Sequence, residues 1–402
     1  MNKYINSLKF EEILLGTILF SLPISIGVNS FVVIISAGFF LYKTITKGNF
    51  SGLFFYIASF SFFLAQFISY LSSNNKHEAG SKLLLYASFV LFPICFSYLN
   101  TRKIKLNQNA VFKFLFYGVI IILIYGSIRF SYDIVFHNVR YDYGRAVALL
   151  LKYIPHHTYF SMFILISIFS VFNGRIENRE NRKSIFILPI LYLFLILLGS
   201  RMAIILGILI LPLFLFNKMK KQNNKMKALI LLGVFMAIII FIGFSNDYVR
   251  DKIIYTYYDL LNISTTEKPF FGVSFRLQIW YSILDLIYQS PFTGYGIGDI
   301  TELLNIRYNK NELQGLNAHN QYLQFILHHG IIIFLFLFLF VYNFIKQCVL
   351  NKNSVLLFSW IVLLSFSFTE SILNRQWGVI LFAFIVNYSI YSNNLFLENN
   401  SK

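Results

Sequence analysis

Apolar stretches long enough to cross a bilayer recur from one end of this chain to the other, and that repetition governs everything else it can fold into. They fall at about 11–28, 30–46, 52–73, 81–99, 111–129, 157–174, 184–199, 202–216, 228–245, 318–345, 354–371 and 376–391. Each is close to the roughly 20 helical residues needed to cross about 30 Å of hydrocarbon. Only 13% of the 402 residues are charged, about half the share of an average soluble chain. The expectation is an all-α polytopic membrane protein of about twelve transmembrane helices, treated as a single transmembrane domain over 1–402. The N-terminal run has Lys3 and Lys9 before it but no small-residue cleavage site after it, so it reads as a retained span.

Charge sets the expected orientation. Alternate loops are crowded with Lys and Arg: Arg102, Lys103 and Lys105; then Arg175, Arg179, Arg182 and Lys183; then Lys218, Lys220, Lys221, Lys225 and Lys227. The positive-inside rule makes these loops cytoplasmic, and both termini with them. Most of the +17 net charge then lies on the inner face, where it reports topology and contact with anionic lipid rather than a nucleic-acid surface. Cys95 and Cys348 are the only cysteines and offer no disulfide framework.

Two outer loops are long. One runs from about Phe130 to His156, and the other occupies 246–317 between the ninth and tenth spans. Long loops in compact proteins usually carry function. Within the second, Phe275 to Gln289 predicts an amphipathic helix with Leu277, Trp280, Ile283, Leu284 and Ile287 on its apolar side. Pro291, Gly294, Gly296 and Gly298 then predict a flexible turn. The glycines lack the strand and helix context of a dinucleotide fingerprint.

Candidate chemistry collects at the outer edge. Gly199-Ser200-Arg201 is all that separates two apolar runs. A guanidinium there either snorkels to the headgroups or clamps a phosphate, to which its planar, permanently charged fork is suited. Arg276 opens the amphipathic helix near the same interface; Arg375, and Arg140 and Arg145 in the first long loop, are further cations on this side. His319 stands where the second loop turns into a span; the positive end of a helix dipole there disfavours imidazolium and keeps a neutral base at hand. Glu370, five residues before Arg375, reads as its ion-pair partner or as a group that positions it. The pairs His156-His157 and His328-His329 lack a ligand partner at helical spacing, so no metal is expected.

Three segments in this order and spacing carry a resemblance: Gly199-Ser200-Arg201-Met202-Ala203; Phe275-Arg276-Leu277-Gln278-Ile279-Trp280 running to Ser290-Pro291-Phe292-Thr293-Gly294-Tyr295-Gly296; and Ala318-His319-Asn320-Gln321-Tyr322-Leu323. Together they resemble the O-antigen ligase and polymerase family of bacterial envelope glycosyltransferases, over roughly 183–345. The resemblance implies a twelve-span fold of the bacterial inner membrane with a large periplasmic loop after the ninth span, a donor glycan on undecaprenyl pyrophosphate, and no cofactor. It implies that Arg201 and Arg276 hold the pyrophosphate and that His319 serves the acceptor hydroxyl, giving metal-independent transfer with inversion. Asn320, Tyr322, Arg375 and Arg145 are expected to contact substrate. One position departs from the family pattern, which often has an acidic residue before the glycine where this chain reads His328-His329-Gly330.

The acceptor stays open between lipid A-core, as for a ligase, and a second lipid-linked repeat, as for a polymerase; a protein-glycosylating oligosaccharyltransferase is a third member of the class. A flippase of the same lipid-linked sugar is the alternative from another class. It would place ionisable residues at mid-membrane, whereas here they gather at one face.

Overall fold

A computed structural model describes residues 9–46, 50–136, 152, 154–178, 187–210, 250, 254, 257–258, 272–310 and 317–400. Among them the secondary structure is entirely helical. The elements are α1 (Phe10–Ser21), α2 (Ile26–Thr46), a 3-10 turn (Ser51–Tyr56) leading into α3 (Ile57–Ser72), α4 (Lys76–Leu85), α5 (Ser88–Thr101), α6 (Gln108–Phe136), α7 (His157–Asn178), α8 (Ile187–Leu197) and α9 (Arg201–Ile205), which continues as a π-helical turn (Leu206–Ile210). After these come α10 (Val273–Gln289), α11 (Ile300–Lys310), α12 (Gln321–Leu350), α13 (Ser354–Ser367) and α14 (Gln376–Asn400).

Among the described residues, five helices are long and apolar enough to cross a membrane: 26–46, 51–72, 76–101, 108–136 and 321–350. His157–Asn173 and Ser354–Ser367 are shorter apolar helices. The chain is therefore a multi-pass membrane protein, all-helical among the described residues. The expected span at 228–245 lies outside the described residues, as do residues 211–216 of the one at 202–216. The outer loop expected from Phe130 begins later, because α6 stays helical to Phe136.

Two compact units divide the chain. The first comprises 1–29 and 106–258. Its helices α1 and α6 pack closely because Gly16 and Gly118 present no side chain: a Cβ on Gly16 would lie 2.5 Å from the Phe114 ring, and one on Gly118 would lie 2.2 Å from the Phe20 carbonyl oxygen. The buried Glu12 carboxylate accepts from the backbone amides of Lys9 at 3.1 Å and Asn107 at 2.7 Å. It thereby occupies the amide-rich N-termini of both helices, which start side by side.

The second unit comprises 30–105 and 259–402. Helix α14 runs through its core, with Val379 to Val386 all buried. It meets α5 in edge-to-face aromatic pairs, Phe92–Phe384 and Phe96–Tyr388. It meets α3 through Phe62–Phe382 and a hydrogen bond from Asn387 to Ser59 at 2.9 Å. Edge-to-face geometry suits the ring quadrupoles and adds about 0.5–1.5 kcal/mol per pair beyond burial.

The expected loop 246–317 contains ordered helices where it is described. In α10 the buried line is Ile279, Ile283 and Leu286, packed with Ile300, Leu304 and Tyr308 of α11 and with Ala318 and Leu327. Ile283, Trp280 and Ile287 pack on this side as expected, whereas Leu284 is half exposed and Ser282 is buried. A stripe read from sequence takes in every apolar residue in a wide arc, whereas the neighbours select the i, i+4, i+7 line. Helix α11 was not expected at all. An Arg307–Asp285 ion pair joins it to α10, and the Asp299 carboxylate fastens its start to the α3–α4 turn, accepting from the amides of Asn74 at 2.8 Å and Asn75 at 2.7 Å.

Helix α12 is broken at Gly330, whose φ of 78° and ψ of 170° are not helical. The turn after α10 fills the break. Pro291 accepts from the Ile331 amide at 2.8 Å, Tyr295 donates to the Leu327 carbonyl at 2.8 Å, and Gly296 donates to the His328 carbonyl at 3.2 Å. These contacts pair the backbone groups that the break releases. Contrary to the expected flexible turn, Pro291 to Gly298 is fastened, and its glycines are needed for close approach. A Cβ on Gly294 would lie 2.6 Å from the Leu327 carbonyl oxygen.

Candidate active site

The second unit builds its site around the short link before α12. Asn320 caps the helix, its side-chain oxygen accepting from the amides of Tyr322 at 3.0 Å and Leu323 at 3.1 Å. His319, just outside the cap, has a φ of 44°. A side chain in this left-handed region costs about 1–2 kcal/mol and persists only when its surroundings impose it. The surroundings here are specific. Trp280 of α10 donates its indole N–H to the Ala318 carbonyl at 3.0 Å, and Gln324 of α12 accepts from the Ala318 amide at 2.9 Å. Asn317 accepts from the His319 amide at 2.8 Å, while Tyr308 of α11 donates to the Asn317 carbonyl at 3.3 Å. Burial pushes the Tyr308 phenol up from its ordinary range, which keeps it a donor in this contact.

The imidazole so placed faces a carboxylate. Nδ1 of His319 lies 3.4 Å from Oε1 of Glu370, with side-chain exposures of 30% and 13%; the site is therefore neither sealed nor freely solvated. Glu370 precedes a 3-10 turn (Ile372–Asn374) tied to the same helix end, for Gln321 accepts from the Leu373 amide at 2.7 Å. Sequence reasoning gave Glu370 to Arg375. Its place opposite His319 has no local signature, because the two residues lie on different helical connections.

The other expected residues fall as follows. Arg276 is partly buried in the first turn of α10. Arg375 is exposed at the start of α14, its carbonyl accepting from Gly378 and Val379. The Tyr322 hydroxyl donates to the Leu364 carbonyl at 2.8 Å, joining α12 to α13. Arg145 and Arg140 lie outside the described residues.

Arg201 belongs to the first unit. Gly199, with φ 62°, reverses the chain after α8 so that Arg201 opens α9. Tyr192 closes this helical hairpin by donating to the Gly207 carbonyl at 3.2 Å. The guanidinium is partly buried, and its Nη1 is shielded from solvent without a hydrogen-bond partner among the described residues. An unpaired buried cationic donor is costly and is what an anionic ligand would satisfy.

The histidine–carboxylate pair stands in the second unit, which also holds bilayer-length helices. Residues 185–341 match the model of a family described as O-antigen ligase. The chain is also 26% identical over 285 residues to the ComP-specific O-oligosaccharyltransferase of Acinetobacter baylyi, an alignment that covers 68% of this chain and 45% of that protein. The chain thus spans less than half the length of this relative. The family match thus lies within residues 185–341, less than half of the chain.

Proposed function

We propose that the enzyme transfers a glycan from undecaprenyl pyrophosphate to an acceptor hydroxyl on the outer face of the bacterial inner membrane, in the manner of an O-antigen ligase. The observation that carries the reading is the His319–Glu370 pair, whose histidine is held in left-handed backbone at the start of α12 and lies within the matched segment 185–341. Nδ1 lies 3.4 Å from the carboxylate, close enough for charge attraction though without hydrogen-bond geometry, and Nε2 is the nitrogen left for the acceptor hydroxyl. As the acceptor oxygen attacks the anomeric carbon, Nε2 takes its proton, and the positive charge forms beside Glu370. The bond from that carbon to the pyrophosphate breaks, and configuration inverts. Arg276 supplies a cation for the departing pyrophosphate; the first unit separately carries in Arg201 a guanidinium whose buried Nη1 has no partner among the described residues. Arg375 and Asn320 flank the acceptor.

Lipid A-core is the acceptor proposed first; a second lipid-linked repeat, as for a polymerase, uses the same chemistry. A hydroxyl on a protein is the further reading favoured by a specific observation, the oligosaccharyltransferase relative. The deciding experiment replaces His319 by Ala in the native host and resolves surface lipopolysaccharide and glycoproteins on gels. Core alone with lipid-linked polymer accumulating supports a ligase, core bearing one repeat a polymerase, and loss of a glycoprotein band a protein transferase. Unchanged glycans with normal amounts of protein would sink the assignment of His319.

A further inference from the structure

A buried polar chain runs from the break in α12 to the His319 link. Gln324 spends its side-chain oxygen on the Ala318 amide at 2.9 Å, so its amide nitrogen must be the group facing Nε2 of His328, 2.8 Å away. That nitrogen only donates. The Nε2 of His328 is therefore the acceptor, and the imidazole is neutral with its proton on Nδ1. His328 and Gln324 are 3% and 2% exposed, so both are shielded from bulk water. His328 is itself fixed through its backbone, its carbonyl accepting from Ser69 at 3.1 Å and from Gly296 at 3.2 Å.

A glutamine amide can be turned over with little change of shape, and only its partners decide which end faces which. Were His328 unable to accept, nothing at that end would hold the nitrogen there. Turned over, Gln324 would present N–H to the Ala318 N–H, and the link would lose the contact that opposes relaxation of His319 from φ 44° toward the ordinary negative region. We infer that His328 is a positioning residue: by accepting from Gln324 it fixes the end of the glutamine that holds Ala318, and so keeps the His319 imidazole opposite Glu370. The consequence for transfer rests on the function proposed above; the consequence for the link does not.

The test uses full-length protein in lipid nanodiscs, labelled with 5-fluorotryptophan and observed by fluorine NMR. Among the three tryptophans, Trp280 donates to Ala318 and reports the link, whereas Trp360, fully buried and bonded to Ser389 at 3.0 Å, reports the fold. His328→Leu, which has no acceptor, is expected to shift or broaden the Trp280 resonance and leave that of Trp360 in place. His328→Gln, whose side-chain oxygen reaches to the same point, is expected to restore it. In the native host the same pair should lower glycan transfer about tenfold or more and then recover it. Gln324→Met, which keeps volume and deletes the amide, should reproduce the His328→Leu spectrum and serves if His328→Leu loses the Trp360 resonance. An unmoved Trp280 resonance in both acceptor-free variants overturns the inference, as does an equal shift in His328→Leu and His328→Gln, which would mean packing alone. If His319→Ala leaves host glycans intact while the spectra behave as expected, the function fails and the positioning stands.

Discussion

Replacing Gly330 by alanine strikes the point where the turn after α10 meets α12, and the cost can be worked from the contacts. An alanine at φ 78° carries about 1–2 kcal/mol of backbone strain. Its Cβ would stand 1.9 Å from the Phe292 carbonyl oxygen, so the turn must move. The hydrogen bonds of Ile331 to Pro291, Tyr295 to Leu327 and Gly296 to His328 are then lost at about 1 kcal/mol each. Local opening should become easier by about 4 kcal/mol, which is roughly a thousandfold in the opening equilibrium. Hydrogen exchange followed by mass spectrometry on protein in nanodiscs reads this directly. Peptides containing Tyr295, Gly296 and Ile331 should exchange roughly a thousandfold faster than in the parent protein, while a peptide from α14 should not change. Parent-like exchange at all three amides would refute the claim that the break is filled by this turn.

Two further outcomes concern the site. Glu370→Gln keeps the shape beside His319 but removes the charge that stabilises imidazolium, so turnover should fall about a hundredfold with the apparent affinity for lipid-linked donor unchanged; a loss of donor affinity instead would assign Glu370 to binding. Tyr308 gives a pH prediction: its phenol holds its proton more tightly folded than unfolded, so its contribution is fully present below the ordinary tyrosine range, near pH 10, and is lost as pH rises through the higher folded value. Tyr308→Phe should flatten part of the alkaline fall in thermal stability, and an identical pH profile for the two proteins would count against the buried contact with Asn317.

Much of this was legible before any coordinates, because hydrocarbon allows few ways of pairing a backbone and long apolar runs therefore announce helices. The same logic placed His319 at a helix start, because the long loop turns there into an apolar run. What escaped notice depended on contacts distant in the chain. Gly330 sits inside an apolar run that reads as one uninterrupted span, and only the approach of Phe292 shows the helix broken there. Glu370 has a nearer apparent partner in Arg375, so sequence distance gave no sign of its approach to His319. Gln324 looked like an ordinary polar residue on a helix; its value lies in which end of its amide meets Ala318.

The interleaving of the two units sets a timetable for synthesis. Glu12 waits for the amide of Asn107, 95 residues further along, before the first helix can complete its pairing. The second unit is begun by residues 30–105 and finished only by residues after 259. At about 5–20 residues per second, helices α3 to α5 are in place for roughly ten to thirty seconds before α10 arrives with Trp280. Asn74, Asn75 and Ser69 meet Asp299 and His328 only later still. A nascent chain therefore holds the first part of its second unit open in the membrane until residues after 259 arrive, a window in which an insertion chaperone has something to protect.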